Sequence, residues 1–457
     1  MKPVTIGEIA IALGAGWSNC HIDLERKVTG ISTDSREEME GKLFIPLEGQ
    51  RFDGHSFIAQ AMEKGAVACL SHKDIANTIR VANTGLALMD LAAWYRNRFD
   101  IKVVAITGSA GKTTTKDMVA SVLEEKYRVL KTQGNFNNEI GLPLTLFKLE
   151  DHQAAVLELG MNHFGELRNL SRVARPDIAV ITNIGYAHIE NLGSREGIRR
   201  AKCEIFDYLK PGGIKIINGD DDMLKALEDK DEPYLRFGMG SGFDFTARDI
   251  TEKGLDGADF IIGYGGGKSF PIHTPLSGKH MIYNALAAAA VGVCMGLEPE
   301  QIQKGIEKFR PSKMRMEIIR IGGLTIINDV YNANPDSMIS AVDVLAQWEG
   351  SRACILGDML ELGEYASALH YRVGEHCAQA GIEKIICAGP LAKKIADGAA
   401  DAIKQQNPHG QMVYYYKTQE DMLNNIKNII EPFDSVLVKA SRIMKFENTV
   451  ELLKQGV

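Results

Sequence analysis

Apolar and polar positions follow two rhythms along this chain. A β-branched run at Ile101–Thr107 and further apolar runs at Ala154–Leu159, Ile178–Ile184 and Ile214–Asn218 read as strands buried on both faces. Between them, apolar residues recur at helical spacing: Met118, Val119, Val122 and Leu123 form one stripe on a helix predicted from Lys112 to about Tyr127. Strands alternating with helices predict a parallel sheet covered on both sides. Upstream, helices are predicted at Thr5–Leu13, His55–Lys64 and Gly85–Phe99. Extended segments are predicted at Val28–Ser35, Lys42–Leu47 and Ala66–Ser71. Between about Tyr234 and Pro275 the pattern shifts to short strands and Gly-rich turns, and a long helix from Lys279 to about Met295 follows. Beyond a hinge-like Phe309-Arg310-Pro311, strands at Leu324–Asn328, Ala353–Leu356, Lys384–Ala388, Met412–Tyr416 and Ser435–Lys439 make a second βαβ series of Rossmann style.

The chain has 457 residues, too many for one ordinary core, and the rhythms divide it into three α/β domains. These are a small one at 1–84, a central phosphate-loop parallel-sheet domain with a small β-rich insertion at 85–310, and a Rossmann-like one at 311–457. A net charge of −7 argues against a general nucleic-acid or membrane-surface binder. The opening MKPVTIGEIA lacks a basic segment followed by a long apolar one, so no secretory signal is expected. No stretch approaches the roughly 20 apolar residues of a membrane span. Cys20, Cys69, Cys203, Cys294, Cys354, Cys377 and Cys387 are dispersed without a C-x-x-C pair, which suits reduced thiols in a cytoplasm.

Candidate chemistry starts at Thr107-Gly108-Ser109-Ala110-Gly111-Lys112-Thr113-Thr114, between a predicted strand and a predicted helix. Glycines let backbone N–H groups converge on phosphate oxygens, and the helix N-terminus adds partial positive charge. Lys112 would reach the β/γ-phosphates, and the hydroxyl of Thr113 or Thr114 would coordinate Mg²⁺. The common pattern wants glycine at 106; this chain has Ile106, so the loop is a variant. Glu158 interrupts an apolar strand, where a free carboxylate is costly to desolvate, and a carboxylate there suits a magnesium ion. Asp329 closes another apolar run and is placed to bind ribose hydroxyls, with Tyr331 able to stack on or bound a base. A simple Asx-turn would look the same there.

The surrounding motifs carry a resemblance. TGSAGKTTT (107–115), NFNNEIGLP (135–143), Glu158-Leu159-Gly160, TNIGYAH (182–188), Lys202, HMIYN (280–284) and DVYNANP (329–335) occur in the order seen in the Mur ligases. STDSR (32–36) and LFIPLEGQRFDGHSF (43–57) resemble the UDP-substrate domain of that family. DVYNANPDSM, LGDMLELGEYA and VKASRIMKFE are similar to the member that adds D-alanyl-D-alanine to UDP-N-acetylmuramoyl-tripeptide. The resemblance implies that the substrate carboxylate attacks the ATP γ-phosphate and that the amine then attacks the acyl phosphate. It implies two Mg²⁺ ions, with His188 helping to hold the second and Lys202 carbamylated as another ligand. Carbamylation needs a neutral amine, to which Arg199 and Arg200 could contribute. It also places Asn135, Asn137 and Asn138 near the reacting carboxylate, Asn284 near adenine, and Ser35 and Arg36, beside Asp34, on the uridine diphosphate. Arg315 resembles the arginine that reaches the ATP phosphates; Met314 stands where relatives often carry glycine, so Lys313 is the alternative. Asn332, Asn334, Asp358–Glu361 and Ser441-Arg442 are expected dipeptide contacts.

Within the class, no DNPR signature of the diaminopimelate-adding ligase is present. A folate-type relative would have no reason to carry STDSR and DGHSF. A phosphate-loop nucleotide switch would explain Lys112 but leave His188, Lys202 and the last domain without work. A catalytically silent nucleotide-binding partner would be expected to lack Lys112, Glu158 or Lys202, and all three are present. A monomer is the default expectation.

Overall fold

The computed structural model describes residues 1–17, 23–49, 52–228, 233–276, 278–406, 410–430 and 433–455. Cys20, and Gln50 and Arg51 of the LEGQRFDGHSF motif, lie outside the described residues. Two compact units are formed, one from residues 1–106, 126–179 and 204–214, the other from 107–125, 180–203 and 215–457.

In the first unit, five short strands order as Gly16–Trp17, Ile79–Arg80, Ala68–Ser71, Lys42–Phe44 and Gly30–Ser32. The four residues of Ala68–Ser71 are buried, which is why this unpunctuated apolar run was legible as a strand. The expected helix over His55–Lys64 is a 3₁₀ turn, Gly54–Phe57, running into a helix at Ile58–Glu63. Asp53 caps that turn through its side chain, which accepts from the His55 N–H at 2.9 Å. Three parallel strands of the same unit pair in the order Val129–Lys131, Ala154–Glu158, Lys102–Thr107. Val103, Val104, Ala105 and Ile106 are fully buried, each of the larger ones contributing roughly 1.5–3 kcal/mol of apolar burial.

In the second unit, the β-rich stretch is less fragmentary than its glycines suggested. Phe245–Glu252, Ala258–Tyr264 and Lys268–Thr274 form an antiparallel meander, joined in parallel to Leu235–Gly238. The helix beginning at Lys112 stops at Leu123, earlier than Tyr127. It packs against the helices Lys279–Cys294 and Pro299–Lys308 with little room: a Cβ on Gly305 would fall 2.4 Å from the Val122 Cα.

The last sheet orders as Glu317–Ile321, Leu324–Asn328, Ser435–Lys439, Arg352–Gly357, Lys384–Ala388, Met412–Tyr416. All neighbours are parallel except the first strand, an antiparallel edge that the sequence reading missed because its exposed face breaks the apolar run. Strand order reverses around Ser435–Lys439, so Asp329, Ala440 and Asp358 all leave the sheet at one switch point, where open α/β sheets bind ligands. Among the described residues no helix is long and apolar enough to cross a membrane.

Candidate active site

The phosphate loop is held open by side chains rather than by its own glycines alone. Ser109 N–H donates to the Asn183 carbonyl at 3.0 Å and Ala110 N–H to Asn183 Oδ1 at 2.9 Å. Thr182 Oγ1 in turn donates to the Ala110 carbonyl at 2.7 Å. Gly108 is required by close approach: a Cβ there would fall 1.9 Å from Thr182 Oγ1. Gly111, at φ 78°, turns the chain into the helix in the left-handed region that glycine adopts without strain. Ser109 Oγ and Thr107 Oγ1 are buried and make no hydrogen bond in the protein, as expected of hydroxyls lining a ligand cradle.

Two lysines converge on one carbonyl oxygen. Lys112 Nζ donates to Gly108 O at 2.8 Å, and Lys202 Nζ donates to the same atom at 3.0 Å. Lys202 is 1% exposed on the helix Arg195–Cys203. Burial, and then the Lys112 charge, hold its amine well below the ordinary lysine value. The expectation that Arg199 and Arg200 lower this amine is corrected here: the nearby cation is Lys112, while Arg199 pairs with Glu196 at 2.5 Å.

His188 sits in the left-handed region at φ 62°, unusual for a residue with a Cβ. Its Nδ1 lies 2.5 Å from Oε2 of Glu361, itself left-handed at φ 63°. Burial pushes the imidazole below its usual value, against the opposing pull of Glu361. A neutral ring keeps a lone pair for a metal ion. Glu361 fell only within a loosely assigned dipeptide stretch; a sequence gives no signal that residues 173 positions apart meet.

Glu158 is 2% exposed, and its Oε1 accepts from Asn137 Nδ2 at 2.8 Å. Its strand register sets it opposite Ile106, one residue before Thr107. Asn138 Oδ1 closes the turn before the helix Gly141–Leu146, accepting from Ile140 N–H at 3.2 Å and Gly141 N–H at 2.8 Å, whereas Asn135 is exposed. Asn284 is buried, its Oδ1 accepting from Thr115 Oγ1 at 2.9 Å. Thr113 is buried and Thr114 half-buried. Arg315 stacks over Tyr331, 3.8 Å from guanidinium to ring centroid. Met314 (φ 62°) and Met316 (φ 50°) flank it, both in the left-handed region that glycine adopts without strain.

Three family models cover the chain: the Mur ligase family catalytic domain at residues 27–118, the Mur ligase middle domain at 106–292, and the Mur ligase glutamate ligase domain at 314–442. The chain belongs to the Mur ligase family. It is 41% identical, over 93% of each chain, to the UDP-N-acetylmuramoyl-tripeptide–D-alanyl-D-alanine ligase of Bacillus subtilis. Identity to the Escherichia coli enzyme of the same name is 34%, over 100% of this chain and 99% of that one. Among solved structures, MurF from Acinetobacter baumannii superposes with a TM-score of 0.91, at 34% identity over 100% and 99% of the two chains. MurF from Thermotoga maritima in complex with ADP gives 0.83, at 27% identity over 93% and 97%.

The remaining positions of this Mur ligase are less open than their motifs suggested. Asp329 is engaged by the buried Lys439 ammonium, which also donates to the Asn332 carbonyl at 2.9 Å. Lys439 lies in the quoted VKASRIMKFE stretch, but nothing in that stretch marks it as the partner of Asp329. Asp358 Oδ1 accepts from Ala392 N–H at 2.7 Å, and Ser441 Oγ accepts from Leu360 N–H at 3.0 Å, so both brace the loop after Gly357. Asn334 caps the helix Pro335–Ala346, and its Nδ2 donates to the Ser109 carbonyl of the phosphate loop at 3.1 Å. Ser35 is buried, its Oγ donating to Gln60 Oε1 at 3.0 Å. Arg36 is exposed and pairs with its neighbour Asp34 at 2.7 Å.

Asp336 was not singled out from sequence, yet its Oδ2 accepts from Tyr186 N–H at 3.1 Å. A Cβ on Gly185 would fall 1.8 Å from that oxygen. Gly185→Ala is therefore expected to displace the carboxylate and lower stability by about 1–3 kcal/mol, seen as a reduced Tm in thermal unfolding. An unchanged Tm would show that the loop yields freely.

Proposed function

We propose that this chain joins D-alanyl-D-alanine to UDP-N-acetylmuramoyl-tripeptide, with cleavage of ATP to ADP and phosphate, giving UDP-N-acetylmuramoyl-pentapeptide for peptidoglycan synthesis. The observation that carries the reading is the 41% identity over 93% of both chains to the Bacillus subtilis ligase of that reaction. The ADP complex of the Thermotoga maritima relative supports the nucleotide.

The substrate carboxylate attacks the γ-phosphorus, its new C–O–P bond forming as the bond to the β-phosphate oxygen breaks and ADP leaves. The dipeptide amine then adds to the acyl carbon, phosphate departs and the amine proton is lost. Residues 108–114, Lys112 among them, and Arg315 are assigned to the ATP phosphates, with Asn284, Asp329 and Tyr331 assigned to the nucleoside side. Magnesium ions, when bound, neutralise phosphate charge during transfer. Thr113, His188 and a carbamylated Lys202 are proposed as ligands, a fit supported by the neutral imidazole, the depressed amine and the unpartnered hydroxyls of Thr107 and Ser109. Glu158 is proposed on its own ground, a buried carboxylate held by an amide. Ser35, Arg36, Asn135, Asn137 and Asn138 are assigned to the UDP-substrate, and Asn332, Asn334, Asp358 and Ser441 to the dipeptide. The domain limits 1–84, 85–310 and 311–457 are part of the proposal, the last of them supported by a family model that begins at residue 314. A monomer working in the cytoplasm is proposed, consistent with free thiols at Cys69, Cys203, Cys294, Cys354, Cys377 and Cys387.

The test is phosphate release from ATP and Mg²⁺ with UDP-N-acetylmuramoyl-tripeptide, with and without D-alanyl-D-alanine, and mass spectrometry of the product. Release that needs both substrates and yields the pentapeptide supports the reading; release indifferent to the dipeptide overturns it. Within that assay, Arg315→Ala should raise the KM for ATP about two- to fivefold through loss of the stacked guanidinium. An unaltered KM would remove Arg315 from the nucleotide site.

A further inference from the structure

Three side chains to which no role in the ligation has been given converge in the first unit: His72, and Glu48 and His55 of the 43–57 stretch. One donor atom from each lies within 4.8 Å of the other two. His72 Nε2 stands 3.2 Å from Glu48 Oε1, close to the ligand–ligand spacing around a small ion with bonds of about 2.1 Å. The two imidazoles meet edge-on, their centroids 4.3 Å apart.

His55 is set up as a ligand. Its backbone N–H and Nδ1 both engage Asp53 Oδ1, at 2.9 and 2.8 Å. A carboxylate on one ring nitrogen fixes the tautomer that leaves the other with a free lone pair, the usual second partner of a metal-bound histidine. That other nitrogen, Nε2, is buried and has no hydrogen-bond partner. Buried polar atoms without partners are uncommon and call for a ligand or water. A cation is already drawn to the place: the Lys73 ammonium pairs with Glu48 at 3.3 Å and with Asp53. Lys73 is 42% exposed, so it can withdraw into water when the carboxylate is needed elsewhere.

We propose that Glu48, His55 and His72 form a binding site for a borderline divalent transition metal, zinc foremost, separate from the ATP chemistry. Two imidazoles and one carboxylate select such an ion over magnesium, which prefers oxygen alone. The exposed side of Glu48 leaves the fourth position to water. The ion would tie the segments carrying Glu48 and His55 to the chain leaving the strand Ala68–Ser71.

The full-length protein, stripped with chelator, is titrated with zinc chloride by calorimetry and with cobalt chloride by visible absorption, both with MgADP present. One equivalent should bind, with tetrahedral-type cobalt bands. His55→Ala and His72→Ala should each weaken it at least about tenfold, and His72→Ala, outside the UDP-substrate stretch, should keep phosphate release in the ligase assay. Lys73→Ala should tighten it several-fold, a gain that no misfolded variant would mimic. Wild-type binding no tighter than that of His72→Ala, or no tightening in Lys73→Ala, overturns the site.

Discussion

Lys202→Ala is expected to lower turnover by at least about a hundredfold and to recover part of it when acetate or formate is supplied. The argument begins with the Gly108 carbonyl, which accepts from Lys112 at 2.8 Å and from Lys202 at 3.0 Å. Two ammonium groups on one oxygen repel each other, and Lys202 is the one shut away from water. Its amine is neutral far below the usual lysine range, with burial the larger cause and Lys112 the next. A neutral amine adds to carbon dioxide: an N–C bond forms, one proton leaves, and a cationic position becomes an anionic one facing Lys112. Acetate or formate restores an oxygen anion to the space that alanine leaves. Lys202→Arg keeps a cation and should not respond to either acid. A fully active alanine variant would end the idea.

The same group affects stability with a definite sign. A lysine whose folded pKa is depressed takes up a proton on unfolding at any pH between its folded value and about 10.4, so it destabilises the fold there, and the penalty shrinks as pH rises through that window. Lys202→Met should therefore raise Tm at neutral pH under carbon-dioxide-free conditions while abolishing turnover, because a buried apolar chain replaces a buried amine. A lowered Tm would mean that the Gly108 contact outweighs the desolvation.

Lys112→Ala is expected to cost about 10²–10³ in kcat, the scale for removing one preorganised charge from a developing anionic centre. The loop itself should survive, because Asn183 and Thr182 hold Ser109 and Ala110 without help from the lysine. The loss should thus fall on kcat more than on Tm. A second consequence is specific to this arrangement: without Lys112 the Lys202 amine loses its nearby cation and becomes easier to protonate. Activity remaining in Lys112→Ala should then depend more steeply on added bicarbonate than that of the parent. A kcat within a few-fold of the parent would take Lys112 out of the phosphate chemistry.

The sequence by itself determined the strand–loop–helix at 107–112, because buried β-branched runs and glycine punctuation are local signals. For the same reason it located the second βαβ series and the strand-end carboxylates Glu158 and Asp329, whereas His188 and Lys202 stood out only through the resemblance to the Mur ligases. Helix ends and the antiparallel strand Glu317–Ile321 escaped it, since a half-exposed edge strand lacks a continuous apolar run. Only the tertiary structure decided which groups meet. Lys112 rather than Arg199 is the cation beside Lys202, Glu361 reaches His188, Lys439 neutralises Asp329, and Asp336 closes over Gly185. None of these pairs follows from spacing along the chain. Each is the meeting of an ionisable side chain with a distant part of the chain, and the energy of that meeting depends on distance and burial that exist only once the chain has folded.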